Sequence, residues 1–179
     1  MKRTGNLLFL AILVLALGGC NSRTDRSEGS VILSVSDFDG LPLLVSVGTG
    51  GPTQVGEITL SNIAKDANGT TSDLQSIELR AYEVRFSRRD TGTRVPPPFV
   101  QSIFGLIEVG GTTTIGNLEF LTLDQLRNPP LSDLFDTGVD RETGSEVIVL
   151  NVSMRFFGRT LAGDDIASDA ASFTIQVVP

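Results

Sequence analysis

Apolar and polar residues alternate along most of the chain after Val31, and the period of the alternation is two rather than 3.6. The clearest case is the segment 146–157 (EVIVLNVSMRFF), in which every second side chain from Ile148 to Phe156 is apolar. Successive side chains of a β-strand point to opposite faces, so this alternation predicts a strand with one buried face. The segment 172–177 has the same pattern and predicts a second amphipathic strand beside the first.

Further segments rich in β-branched and apolar residues lie between turns of Gly, Asp, Asn and Pro. They predict strands at 31–36, 43–47, 55–62, 76–88, 100–109 and 112–123. Within one of these segments, Ile77 and Leu79 share one phase of the alternation, whereas Tyr82 and Val84 share the other. A β-bulge near Ala81 would bring both pairs to the same face, because a bulge inserts one extra residue into a strand.

The number and spacing of these strands predict an all-β domain, specifically an antiparallel two-sheet sandwich of the immunoglobulin-like or fibronectin type III kind. A small β-barrel is the alternative, because alternation does not distinguish a closed barrel from packed sheets. The segment 127–144 contains Pro129-Pro130 and interrupts the pattern. We expect it to cross between the sheets and to form a short helical turn, with Leu131, Leu134 and Phe135 plugging one end of the core.

The first twenty residues have the organisation of an export signal. Lys2 and Arg3 form a positive region, and residues 7–17 (LLFLAILVLAL) form an apolar run that is shorter than the roughly 20 residues of a transmembrane helix. The sequence Leu17-Gly18-Gly19-Cys20 that follows resembles the lipobox of bacterial lipoproteins. The resemblance implies that Cys20 is lipidated and becomes the first residue of the mature protein.

This resemblance divides the chain into a signal peptide (1–19), the lipidated Cys20 with a polar tether (20–30), and a single domain (31–179). A flexible tether of this length would hold the domain roughly 17 Å from the bilayer on average. The lipobox resemblance also implies a location in the cell envelope, with the membrane as a partner through the lipid anchor. Asn21 in second place indicates the outer membrane if the host has two membranes.

Composition excludes several functions. Every acidic residue lies after Cys20, so the formal charge of −7 becomes about −9 when Lys2 and Arg3 leave with the signal peptide. Nucleic acid is therefore not an expected partner, because phosphate binding needs clustered Lys and Arg. The chain has no His, and Cys20 is its one cysteine, so it cannot form a Ser-His-Asp triad, a Cys-His pair or a histidine-ligated zinc site. We expect no enzyme activity.

Two acidic segments are candidate calcium ligands. Asp37 and Asp39 precede Gly40 with the spacing i, i+2, and Asp164 and Asp165 lie in a second loop. Ca²⁺ prefers carboxylate and carbonyl oxygens, although neither segment has the spaced ligands of an EF-hand. The alternative is that these residues cap turns, a common use of Asp, and that no cofactor binds.

The function expected from these features is that of a non-enzymatic binding or structural module. It would present a sheet face or a loop end to another envelope protein or a polysaccharide. The alternatives are a calcium-dependent adhesive or surface component, and a small hydrolase that uses a pair of carboxylates.

Overall fold

The computed structural model describes residues 29–39, 41, 44–48 and 53–179. Its strands are β1 (Val31–Asp39), β2 (Leu44–Ser46), β3 (Gln54–Ala64), β4 (Ile77–Arg88), β5 (Phe99–Ile107), β6 (Thr112–Glu119), β7 (Ile148–Thr160), β8 (Asp165–Ala167) and β9 (Ala171–Val178). Two short α-helices, α1 (Leu123–Arg127) and α2 (Leu131–Thr137), lie between β6 and β7. Within the described ranges, no helix is long and apolar enough to cross a membrane.

The strands form two packed sheets. The smaller sheet has the order β1-β3-β6, and the larger has the order β2-β9-β7-β4-β5, with β8 pairing beside β7. All pairs are antiparallel except β2 and β9, which are parallel. The prediction of an all-β two-sheet sandwich is confirmed, and the sheets also curl in the manner of half a barrel.

The core lies between the sheets and is built from the alternating side chains that the sequence pattern marks. In β7, every second residue from Ile148 to Phe156 is fully buried, as predicted. In β9, Phe173, Ile175 and Val177 face the same core. Their burial stabilises the fold by about 1.5–3 kcal/mol for each large aliphatic or aromatic side chain.

The predicted bulge is present in β4. The register of β4 shifts between Leu79 and Ala81 against both of its neighbours, so that Arg80 has no partner residue on β7. The shift lets Leu79 and Tyr82 both point into the core, where both are buried. The bulge therefore reconciles the two phases of alternation in this strand.

The segment between β6 and β7 crosses from the smaller sheet to the larger one, as expected. Leu131 and Leu134 of α2 are fully buried and close one end of the core. The prediction was wrong for Phe135, which is 66% exposed. Phe135 lies one turn after Leu131 but about 100° around the helix from Leu134. The side of the helix that faces the core is therefore centred between Leu131 and Leu134, and Phe135 lies at its margin, in solvent.

The two ends of the sandwich can be distinguished by the direction of β1. At one end, which we call the tether end because the predicted tether precedes it, β1 begins with Val31 beside Ala64 of β3. At the other end, which we call the far end, β1 finishes with Asp39 beside Glu57. Strand β7 runs between these ends over 13 residues, or about 40 Å at roughly 3.3 Å per residue. Both helices follow β6 and lie at the far end, because β6 ends with Glu119 beside Gln54 of β3.

Candidate binding surfaces

Residues 1–28 lie outside the described residues, and with them lie Cys20, the lipobox and most of the predicted tether. The structure begins with Gly29 and Ser30, which already contact the sandwich. The Ser30 carbonyl accepts a hydrogen bond from the Lys65 N–H at 3.0 Å, and the Gln75 amide donates to the Ser30 hydroxyl at 3.0 Å. The predicted tether would therefore join the folded domain at this end.

The first acidic pair, Asp37 and Asp39, lies on β1 rather than in the turn after it. Both residues are exposed. The Asp37 carboxylate accepts a hydrogen bond from the N–H of Phe38 at 2.8 Å. This contact is local, as expected for an Asp side chain that caps its own backbone.

The second acidic pair, Asp164 and Asp165, lies where the chain turns from β7 into β8, at the tether end. The Asp164 N–H donates to the hydroxyl of Thr160 at 2.9 Å, and Asp165 forms an exposed ion pair with Arg159 at 3.6 Å. The two acidic pairs are at opposite ends of the sandwich and cannot share one ion. No group of three or more His, Cys, Asp or Glu side chains that could hold a metal ion forms within the described ranges, and calcium binding stays a prediction.

An open groove of about 520 Å³ lies at the far end, between the two helices and the end of β2. Its lining includes Val47, Leu123, Leu126, Arg127, Phe135 and Asp136. We call it the end groove. Leu126 is almost fully buried in its floor, whereas Leu123 and Phe135 are 60% and 66% exposed. The groove thus presents two exposed apolar side chains, Leu123 and Phe135, together with one positive and one negative side chain.

Local hydrogen bonds hold α1 in position beside the end groove. The Thr122 hydroxyl accepts from the Gln125 N–H at 3.2 Å, and the Gln125 side chain accepts from the Thr122 N–H at 2.8 Å. This reciprocal pair is a capping box, which fixes the start of a helix. The Gln125 amide also donates to the Pro97 carbonyl at 2.6 Å, which ties α1 to the connection before β5. The groove is therefore preformed.

A buried cluster of charged groups lies at the same end of the sandwich, where β4 ends beside the start of β7. Arg88, whose side chain is 3% exposed, donates to Asp140 at 2.7 Å and to both oxygens of Asp90 at 2.7 and 3.0 Å. Asp140 is fully buried and also accepts from the Thr143 hydroxyl at 2.7 Å and the Glu142 N–H at 3.2 Å. The cluster joins the end of β4 to the loop before β7.

The pKa values of the two acids follow from these contacts. Burial alone would raise the pKa of Asp140, but the hydrogen bonds from Arg88, Thr143 and the Glu142 N–H outweigh it and lower the pKa. Asp90 is shifted in the same direction, because hydrogen bonds from Arg88 and from backbone N–H groups outweigh its burial. Both acids stay ionised near neutral pH. Neither can act as the protonated general acid that a carboxylate-dependent hydrolase needs.

A second exposed apolar surface lies on β5, at the edge of the larger sheet. Val100, Phe104 and Leu106 are 64%, 82% and 50% exposed and lie on the outer face of the strand. We call them the β5 strip. Large exposed apolar groups that lie together on a soluble domain often mark a contact with another molecule.

Sequence reasoning missed both surfaces and the buried cluster. The cluster joins Arg88 to Asp140, 52 residues apart, and no local pattern marks such a pair. A signal for the β5 strip was present, since the segment 99–107 contains no charged residue and is apolar in both phases.

Compared with known proteins, the chain matches no protein-family model, no curated protein and no solved structure.

Proposed function

We propose that this chain is a lipid-anchored, non-enzymatic module of the cell envelope that binds a protein partner in the end groove. The observation that carries the proposal is the exposure of Leu123 and Phe135 in a preformed groove at the far end of the sandwich. Leaving two large apolar side chains in water costs free energy that a partner would recover on binding. Such side chains are also typical anchors at the centre of protein interfaces.

The position of the groove supports this function. The chain enters the domain at the tether end, and the groove lies at the other end of strands about 40 Å long. If Cys20 is lipidated, the tether end faces the membrane and the groove faces away from it. A partner in the envelope could then reach the groove without contacting the bilayer, and in a host with two membranes the anchor would be in the outer membrane.

The chemistry of the groove favours a protein segment over a polysaccharide. Glycan sites use exposed aromatic rings together with many polar groups, whereas the described lining of this groove has one aromatic ring, Phe135, beside the aliphatic Leu123 and Leu126. Arg127 and Asp136 supply one charge of each sign, which can orient an apolar segment that carries a charged residue. The partner expected is a short apolar segment of another envelope protein.

A photocrosslinking experiment tests the groove. A photoreactive amino acid replaces Phe135 in the full chain, and the matched control carries it at Leu161, which is 51% exposed and lies at the tether end. We expect a protein adduct of one mass from position 135 in membranes of the native host, absent from position 161 and reduced by Leu123→Ser. The absence of a protein adduct, or the same adducts from both positions, would contradict the proposal.

The anchor has its own test. Cys20→Ser removes the only thiol of the chain, so the protein should appear in the soluble fraction and lose labelling by radioactive fatty acid. Stable attachment needs more than one acyl chain, as the lipobox implies. A variant that keeps the label would contradict the anchor and leave the groove unaffected.

A further inference from the structure

The tether end carries exposed apolar side chains at the start of the folded domain, and the end groove does not use them. Leu74 and Leu161 are 58% and 51% exposed. The Ala162 N–H donates to the Leu74 carbonyl at 2.9 Å, so the two leucines lie on adjacent segments. Gln75, the residue after Leu74, donates to the Ser30 hydroxyl at 3.0 Å. Both leucines therefore lie beside the first described residues of the chain.

Two isoleucines add to the apolar groups at this end. Ile32 of β1 lies directly opposite Ile63 of β3, and each is one residue from the tether end of its strand. They are 45% and 48% exposed, whereas their neighbours Val31 and Asn62 are buried, so the isoleucines face outwards. Large exposed apolar groups that lie together often mark a contact with another molecule or a membrane. We call Ile32, Ile63, Leu74 and Leu161 the tether-end surface.

An open polar pocket of about 360 Å³ lies next to the tether-end surface. Its lining includes Ser30, Lys65, Asp66, Thr70, Thr71 and Gln75. Lys65 follows Ile63 by two residues, and Gln75 directly follows Leu74. We call it the entry pocket, because Ser30 of the entering chain forms part of its wall.

The entry pocket offers one unpaired charge of each sign. Among the described residues, neither Lys65 nor Asp66 forms an ion pair. The Asp66 carboxylate accepts a local hydrogen bond from the Asn68 N–H at 3.0 Å. A phosphate group binds ammonium and hydroxyl groups, and a carboxylate binds a second ammonium group. A zwitterionic phospholipid headgroup carries a phosphate beside an ammonium group, so it matches both charges of the pocket.

The predicted anchor determines what lies opposite this end of the domain. Gly29, where the described structure begins, is nine residues after Cys20. Nine residues span at most about 32 Å when fully extended, at roughly 3.6 Å per residue. If Cys20 is lipidated, the bilayer surface therefore stays within this distance of Gly29. A covalent tether of such length gives the bilayer a high effective concentration, which favours it over any partner that must diffuse to this end.

Charge indicates which lipid fits. In and beside the loops of the tether end, acidic residues outnumber basic ones: Asp66, Asp73, Glu108, Asp164 and Asp165 against Lys65 and Arg159. An anionic bilayer attracts basic segments and repels acidic ones. A zwitterionic bilayer has no net charge, so contact with it depends on apolar insertion and on pairing with individual headgroups. The tether end therefore fits a zwitterionic lipid better than an anionic one.

We propose that the tether end docks on a zwitterionic lipid bilayer, with the tether-end surface in the bilayer interface and a phospholipid headgroup in the entry pocket. Lys65 contacts the lipid phosphate, and Asp66 contacts the ammonium group. The proposal rests on the anchor of the proposed function and not on the end groove. Docking converts a flexible attachment into a fixed orientation, in which the end groove points away from the membrane.

The absence of Trp from the chain makes the docking directly measurable. Leu74→Trp introduces a single indole at the tether end, and Leu123→Trp introduces one at the far end, where the native residue is 60% exposed against 58% for Leu74. Each full-length lipidated variant is reconstituted into phosphatidylcholine vesicles whose acyl chains carry bromine, which quenches indole fluorescence on contact. Compared with vesicles without bromine, we expect quenching of Leu74→Trp and none of Leu123→Trp.

Reversal of charge tests the entry pocket. Lys65→Glu, added to Leu74→Trp, should reduce the quenching to the level of Leu123→Trp, because a carboxylate at this position repels the lipid phosphate. Arg127→Glu makes the same change of charge in the end groove and should leave the quenching of Leu74→Trp unchanged. In brominated phosphatidylglycerol vesicles, the acidic residues of the tether end should reduce the quenching.

Equal quenching of Leu74→Trp and Leu123→Trp, or quenching of neither, would overturn the proposal. It would also be overturned by quenching that is unchanged in Lys65→Glu or in phosphatidylglycerol. A blue shift of the Leu74→Trp emission without quenching would show that a second copy covers the surface instead of lipid. Radioactive fatty acid in the same preparation reports the anchor, so a lack of quenching in labelled protein counts against the docking alone. The vesicles contain no protein partner, so the outcome is independent of the end groove.

Discussion

The buried cluster around Arg88 should contribute more to the stability of the domain than any ion pair on its surface. Asp140→Ala removes an acceptor from three donors: the Arg88 guanidinium, the Thr143 hydroxyl and the Glu142 N–H. Breaking a buried pair by removing one partner typically costs about 3–5 kcal/mol. Arg88 keeps its two bonds to Asp90 in this variant, so we expect the lower end of that range. For a domain of this size, that corresponds to a fall in Tm of about 10 °C.

The assay is urea and thermal unfolding of a soluble form that begins at Asn21, followed by circular dichroism because the chain has no Trp. The matched control is Glu78→Ala, which removes an exposed pair with Arg80 and should cost less than about 1 kcal/mol. The triple variant Arg88→Met/Asp90→Asn/Asp140→Leu should recover part of the loss, because it leaves no charge in the cluster. Equal, small losses in Asp140→Ala and Glu78→Ala would refute this reasoning.

The same cluster should make stability depend on acid pH. Asp140 and Asp90 have lowered pKa values in the folded protein, so they bind protons less readily there than in the unfolded chain. Their contribution is present above the unfolded value of about 3.9 and is lost as the pH falls through the folded pKa. The wild type should therefore lose stability below about pH 4 more steeply than Asp140→Ala, as measured by Tm against pH.

Three further predictions address single sites. Burial raises the pKa of Tyr82 to about 12. Tyr82 is the only tyrosine of the chain, so an absorbance titration should show no phenolate at about pH 10, where a free tyrosine is half ionised. Ionisation at that pH would place the ring in water. Gly158→Ala should lower the free energy of unfolding by about 1–3 kcal/mol, because its Cβ would lie 2.7 Å from the Ile77 side chain and 2.8 Å from the Glu78 carbonyl oxygen. An unchanged midpoint of urea unfolding would contradict this packing. Millimolar Ca²⁺ tests the predicted calcium ligands Asp37, Asp39, Asp164 and Asp165. A rise in Tm that EDTA reverses would establish a calcium site, and an unchanged Tm would leave these residues as turn caps.

The strands could be predicted from the sequence because half-burial imposes a period of two. The predicted segment 76–88 agrees with β4 to within one residue, and even its bulge follows from the change of phase at Ala81. Strand β8 was missed because three residues carry no period, and its segment was assigned to a loop. The parallel pairing of β2 with β9 was not predictable either, since alternation says nothing about the direction of a neighbour.

The candidate sites were less accessible to sequence reasoning. The calcium prediction used local spacing, but binding depends on which loops the fold brings together, and the acidic pairs of β1 and of the turn before β8 lie at opposite ends. The end groove depends on which side of α2 faces the core. That choice buries Leu134 and leaves Phe135 in solvent, although the two residues are adjacent and both apolar. The β5 strip depends on which strand lies at the edge, which is a property of topology.

The position of β9 has a consequence for the order in which the molecule can assemble. This strand follows every other strand in the sequence, yet it lies between β2 and β7 in the larger sheet. Until β9 is available, β2 has no partner strand among the described residues. One side of β7 is then paired only with the three residues of β8. A partly synthesised chain therefore cannot close its core, and folding is delayed until residues 171–178 are free to pair. The last strand of the chain thus acts as the closing strand of the larger sheet.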